Sequence, residues 1–265
     1  MVQVLGIPFF DQDIDAAVTR VLQVCKDTSE AVRNETISPF SGAALWPNHC
    51  ISASGAHGLV EAHNDPAFKN ILQNYWLNLP DGMPIVWIGK WKGAKQIARC
   101  YGPDFFKETM KATAMLPIKH FFCGGREGVA NELKQAVATK FGNQNVVGTF
   151  CPPFRPMTET EMVQLGNAIT QSGADMVWIG IGCPKQEKLA YELKKYTQTK
   201  FLIAVGAAFD FHTNRVRQAP SWVQQIGMEW FFRLLMEPKR LFKRYITVIP
   251  QFIWLNLKEF ITQRP

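Results

Sequence analysis

Residues 174–187 read ADMVWIGIGCPKQE. A buried apolar run stops at a glycine turn, and a helix opens on Pro184-Lys185-Gln186-Glu187. In a parallel α/β sheet the crevice at such strand carboxyl ends is where ligands bind, because backbone N–H groups and the positive end of the helix face it. The pattern recurs. Residues 117–123, PIKHFFC, predict a buried strand ending in Gly124-Gly125-Arg126-Glu127-Gly128, with a helix over 129–141. Residues 200–205 predict a strand that turns at Gly206-Ala207-Ala208-Phe209-Asp210. Strand–glycine–helix units in succession predict an α/β protein with a right-handed, mostly parallel sheet and helices on both faces. Such glycine turns suit a phosphate cradle, and equally suit tight packing.

Working outward, residues 145–150, NVVGTF, predict a strand, and the proline-rich loop 151–156 borders a pocket. Thr158-Glu159-Thr160-Glu161 matches a capping box for a helix reaching about residue 172. At the N-terminus, VQVLGIPFF (2–10) reads as a short strand entering a turn, and a helix follows from Asp11-Gln12-Asp13 to about residue 32. Asp-x-Asp is a spacing with which sugar-nucleotide enzymes hold a divalent metal. Such a pair follows a nucleotide-binding half, which ten residues cannot build, so N-capping is the simpler reading and no metal site is expected.

Residues 36–48, with Pro39, Gly42 and Pro47, predict a loop. HCISAS (49–54) predicts a short buried strand leading to a helix over 56–74. Ser52 and Ser54 then sit at a strand carboxyl end, where Ser54 either caps that helix or meets substrate. In NLPDGMPIVWIG (78–89), Asp81 is either a turn former or a general base at the pocket rim. The segment 90–102 is basic and expected to be exposed, leading through Arg99 and Gly102 into a helix over 103–115.

The length of 265 residues and 47% apolar content fit one large α/β domain, or a domain plus an appendage. Six scattered cysteines without a CxxC pair, and no secretory signal, predict reduced thiols and a cytoplasmic setting. Net charge is +7, and between residues 233 and 244 five cations face Glu237 alone. That local excess suits an anionic surface or a phosphate-bearing substrate. No RNP-like, zinc-knuckle or helix-turn-helix pattern calls for nucleic acid. A nicotinamide oxidoreductase would carry GxGxxG and an acidic end to the next strand; Gly124-Gly125-x-x-Gly128 matches poorly, and strand 145–150 ends without a carboxylate.

The C-terminal part differs in kind. Residues 219–236 predict an aromatic-rich helix with Trp222, Trp230, Phe231 and Phe232, and the chain continues KRLFKRYITVIPQFIWLNLKEF. The longest nearly uncharged run, 245–257, is too short to span a bilayer and contains Pro250. It reads either as an amphipathic segment lying on an anionic leaflet or as a helix docked on the core.

Several motifs now combine. IGIGCPKQE, VGAAFDF, Ala219-Pro220 with Trp222, and Glu229-Trp230-x-x-Arg233 before Glu237-Pro238-x-Arg240 resemble the WecG/TagA/CpsF glycosyltransferases, in that order. LPDG, the Arg99–Gly102–Asp104 pattern and CGGREG agree, so the resemblance spans nearly the whole chain. It implies a bacterial, inverting, metal-independent enzyme moving a sugar from a nucleotide-diphosphate donor, usually UDP-linked, to a polyprenyl-diphosphate-linked acceptor. No cofactor is implied. It also implies a Rossmann-like core, here 1–218, and a helical appendage, 219–265, that engages the inner face of the plasma membrane; homo-oligomerisation stays open.

On the same resemblance Asp81 falls on the catalytic base. Gln186 and Asp210 match nucleotide-sugar positions, with Arg99 near them, and Ser52, Ser54, Gly124, Gly125 and Gly182 complete the expected pocket. Arg233 and Arg240 match appendage arginines that reach the diphosphate, with Lys243 or Arg244 near a third. Fixed cations would offset leaving-group charge where no metal does. One departure is Ser52-Ala53-Ser54 where relatives carry a Thr-Pro-Asn type sequence, which leaves the sugar identity open. A silent sugar-nucleotide binder is the remaining alternative of another class.

Overall fold

The computed structural model describes residues 1–33 and 47–262. The loop expected over 36–48 therefore lies almost wholly outside the described residues. The chain opens with a hairpin, β1 (Val2–Val4) and β2 (Ile7–Phe9), where one strand was expected. Leu5 and Gly6, both at positive φ, turn the chain. Helix α1 (Ile14–Arg33) follows. Asp13 Oδ1 accepts from Ala16 N at 2.9 Å, a cap as expected, whereas Asp11 pairs with the N-terminal ammonium at 2.6 Å.

The main sheet contains β3 (His49–Ser54), β4 (Leu77–Pro80), β5 (His120–Gly124), β6 (Val146–Phe150), β7 (Met176–Gly180) and β8 (Phe201–Ala204). Their order is β4-β3-β8-β7-β5-β6, and every neighbouring pair is parallel. Between the strands lie α2 (Ala56–Asn64), α3 (Pro66–Gln73), α4 (Met83–Trp91), α5 (Gly102–Ala112), α6 (Val129–Phe141), α7 (Glu159–Ser172) and α8 (Lys185–Leu193). After β8 come α9 (Ala208–His212), α10 (Ser221–Gln225), α11 (Glu229–Met236) and α12 (Pro238–Thr262).

Strands buried on both faces read as continuous apolar runs, and alternate residues serve opposite layers. Met176 and Trp178 of β7 join Phe122, Phe201 and Ile203 in a cluster with α1, α5 and α6. Val177 and Ile179 join Phe121, Cys123 and Leu202 in the opposite cluster, under α7 and α8. A third cluster packs the hairpin against α2, α3 and Ile85 of α4, with Val248 and Phe252 of α12. The last helix is thus docked on the core along one side.

Several expected elements are revised. The helix over 56–74 is two helices, because Asp65 ends α2 and its carboxylate caps α3 at Pro66. Ser54 is not a cap: Gly55 occupies that position without a side-chain bond. The apolar stretch after Asp81 is helix α4, opened by Gly82 with Pro84 in its first turn. The aromatic helix over 219–236 breaks at Gly227 into α10 and α11, where φ is +75°. The Thr158–Glu161 capping box is present. Helix α12 runs unbroken for 25 residues through Pro250, whose missing N–H falls on an exposed face. No helix of the described residues is long and apolar enough to cross a membrane.

Candidate active-site cleft

The carboxyl ends of β3, β4, β5, β7 and β8 open into one cleft of about 1610 Å³, closed on the far side by α11 and α12. Asp81 is at its floor. Pro80 ends β4, and the Asp81 N–H donates to the Ser54 carbonyl at 3.2 Å, so the two strand ends fix its position. Its Oδ1 accepts from Gly102 N at 2.8 Å, the first residue of α5. A Cβ on Gly102 would stand 2.8 Å from the Val205 carbonyl, so only glycine brings that N–H in. Burial pushes the Asp81 carboxyl up to about 6, against the downward pull of Arg99 and the Gly102 bond. Its Oδ2 accepts no hydrogen bond among the described residues and faces the cleft.

Arg99 lines the cleft, and each of its three guanidinium nitrogens already has a partner. Its Nε donates to the Asp81 carbonyl at 2.8 Å, Nη1 to Gln224 at 3.1 Å, and Nη2 forms an ion pair with Glu229. The guanidinium also lies 4.0 Å over the Tyr101 ring. At the end of the segment 90–102, whose Lys90 and Lys95 are exposed as expected, Arg99 is half-buried and ties the base of the cleft to α10 and α11. Glu229 sits inside a quoted motif, yet nothing in sequence pointed to its partner.

Gln186 is equally committed. Its Oε1 accepts from Gly182 N and from Gly206 N, both at 3.1 Å, and its Nε2 donates to Glu187 Oε1 at 2.9 Å. The glycine N–H groups expected to face a ligand are thus held by this side chain, which joins the β7 and β8 turns. Glu187 is buried and takes a further bond from Ser52 Oγ at 3.1 Å; Ser52 in turn contacts Ser54 Oγ at 2.7 Å. Burial holds the Glu187 carboxyl above the usual range, with the bonds from Gln186 and Ser52 opposing. Ser54 lines the cleft and Ser52 lies beneath it.

Gly125, Gly182 and Asp210 also line the cleft; Gly124 does not. A Cβ on Gly124 would stand 2.6 Å from the Gly180 carbonyl, so this glycine serves close strand-end packing. The Asp210 carboxylate, on α9, accepts no hydrogen bond among the described residues. Arg233, Arg240 and Arg244 reach the cleft from α11 and α12, whereas Lys243 is exposed and outside its lining. Arg233 is largely buried, its Nε without a hydrogen-bond partner among the described residues, and Arg240 pairs with Glu237. Arg244 adjoins His57 near the start of α2; burial and Arg244 hold that imidazole below its ordinary value, against Glu61 at 3.3 Å. Arg126, Lys185 and Phe154 stand at the opposite rim, Phe154 87% exposed on the proline-rich loop that was expected to border a pocket. No group of three or more His, Cys, Asp or Glu among the described residues is placed to hold a metal ion.

A parallel sheet whose strand ends converge on a carboxylate, with several guanidinium groups in the lining, defines an α/β protein with a carboxyl-end crevice chemically suited to an anionic ligand. The sequence pattern of the glycosyl transferase WecG/TagA/CpsF family matches residues 2–265, and the chain belongs to that family. It is similar to the N-acetylglucosaminyldiphosphoundecaprenol N-acetyl-beta-D-mannosaminyltransferase of Bacillus subtilis (strain 168), 26% identical over 198 residues that cover 75% of each chain. The nicotinamide reading is thereby set aside.

Proposed function

We propose that this glycosyltransferase moves a sugar, with inversion and without a metal, from a UDP-linked donor to a polyprenyl-diphosphate-linked saccharide at the inner membrane face, in bacterial cell-surface polysaccharide synthesis. The Bacillus relative, by its name, transfers N-acetylmannosamine to a diphosphoundecaprenol-linked acceptor, which supports the acceptor class. The observation that carries the chemistry is Asp81: a carboxyl lifted to about 6, one oxygen fixed by Gly102 and the other turned to the cleft. A base poised near the working pH is ionised and still able to take a proton.

In this mechanism Asp81 Oδ2 removes the proton of the acceptor hydroxyl as its oxygen attacks the donor C1. The C1–O bond to the nucleoside diphosphate breaks on the opposite face, which inverts the anomeric centre. Arg233 and Arg240 stabilise the charge developing on the leaving diphosphate. Asp210, with its unengaged carboxylate, accepts hydroxyls of the donor, and Ser54 contacts the sugar. Gln186 holds the two glycine turns that shape the nucleotide wall.

A thermal-shift panel of nucleotide sugars, followed by transfer to a prenyl-diphosphate saccharide, tests the reading. Stabilisation by one UDP-sugar with transfer inverted at C1 is expected. Binding without transfer to any acceptor would identify a silent assembly partner instead.

A further inference from the structure

At about 1610 Å³ the cleft exceeds the roughly 300–1,000 Å³ of ordinary ligand pockets, and α4 and α12 contribute mainly apolar side chains to its lining. From the Asp81 floor it continues as an arm between α4 and α12. One wall carries Trp87 and Trp91, 52% and 49% exposed; the other carries Ile253 and Leu257, 52% and 50% exposed. These side chains lie open to the cleft, although burying each would favour folding. Trp91 is held by Phe260 with ring centroids 4.0 Å apart, and the Trp87 ring would lie 2.9 Å from a Cβ on Gly227, so both indoles are braced in place.

The cleft-facing stripe of α12 changes chemistry along its length. Arg240 and Arg244 occupy one end, Arg244 beside the start of α2, and the lining continues through Tyr245, Val248, Ile249, Phe252 and Ile253 to Leu257, interrupted by Asn256, roughly 20 Å further at 1.5 Å per residue. Cations at one end and a hydrocarbon surface running away from them match an anionic head on a long apolar chain, and of these the acceptor reading selects a diphosphate ester. We propose that this arm seats the first isoprene units of the acceptor, with the acceptor diphosphate at Arg244 and the chain between the α4 tryptophans and α12. The proposal rests on the acceptor reading given above and adds to it a chain-binding subsite shared by core and appendage.

The test is binding without transfer and without membrane. The full chain is titrated with dimethylallyl, geranyl and farnesyl diphosphate, and with inorganic pyrophosphate. Affinity is expected to rise several-fold with each added isoprene. Ile253→Ser and Leu257→Ser together are expected to cut farnesyl diphosphate affinity at least tenfold and leave pyrophosphate affinity unchanged. Ile261→Ser, on the same helix and outside the cleft, is expected to bind like wild type. Affinity independent of chain length, absence of binding, equal loss for pyrophosphate, or equal affinity for dodecanol without a phosphate head would each overturn the proposal. Chain-length-dependent binding with no sugar transfer would leave the subsite standing and overturn the transferase reading.

Discussion

At the scale of single residues, Asp81 gives the sharpest expectations. Asp81→Asn keeps the oxygen that meets Gly102 N and removes the proton acceptor, so turnover is expected to fall by orders of magnitude with UDP binding retained; steady-state kinetics and calorimetry check this. Wild-type turnover is expected to rise as pH climbs through about 6, where the carboxyl ionises. The same shift has a stability sign. The folded value lies above the unfolded 3.8, so between these the native state holds a proton that the unfolded chain has lost, and stability falls with rising pH. The Asn variant is therefore expected to gain about 1–3 kcal/mol over wild type at pH 8, and little at pH 3.5, in denaturant unfolding. Gln186 tests a positioning role: Gln186→Ala strands the Gly182 and Gly206 N–H groups, costing about 1–3 kcal/mol and raising the donor KM. Asp81 was legible only as a choice between turn former and base, with the family resemblance favouring a base. The orientation of Gln186, inward to two turns, depends on strands brought together by the fold, which no local pattern encodes.

At the scale of elements, the units around β5, β7 and β8 were legible because continuous apolar runs end at glycines with φ of +74° or more after β5 and β7, and +60° after β8. What was not legible came from punctuation that competes with periodicity. Asp65-Pro66 divides one apolar pattern into two helices, and Met83-Pro84 starts a helix that its apolar run alone could not distinguish from a strand. Helix α5 shows how an element tunes a residue. Its first N–H reaches Asp81 because Gly102 lets the helix start sit against β8, with a Cβ excluded at 2.8 Å from Val205 O. Gly102→Ala is expected to push the helix start away and weaken that bond. The bond favours the ionised form, so its loss moves the kinetic pKa upward from about 6 and lowers kcat at neutral pH about tenfold. A pH–rate profile that keeps its midpoint would refute the coupling.

At the scale of the molecule, α12 is part of the core on one face and presents large apolar side chains to solvent on another. Leu241, Val248, Phe252 and Leu255 are buried, whereas Phe242, Ile246 and Trp254 are 60%, 62% and 65% exposed. Deleting the segment after Glu237 would strip the cover from Val4, Leu59 and Phe68 in the hairpin cluster, so lost membrane binding would be confounded with lost stability. A face-specific change separates the two. Phe242→Ser, Ile246→Ser and Trp254→Ser together alter only exposed side chains and leave Arg240, Arg244 and the cleft stripe in place. Amphipathic helices bind anionic bilayers through buried apolar area plus cationic attraction, so removing the area while retaining the charge is expected to abolish flotation with anionic vesicles at 0.15 M salt, about a Debye length of 8 Å. Turnover on a detergent-dispersed acceptor is expected to stay within about twofold of wild type and the melting temperature within a few degrees, because surface substitutions away from packed features usually change stability by about 0.5 kcal/mol or less. Undiminished flotation of the triple variant would show that the exposed face of α12 is not what meets the bilayer, and a parallel loss of melting temperature would show that these side chains pack against the protein.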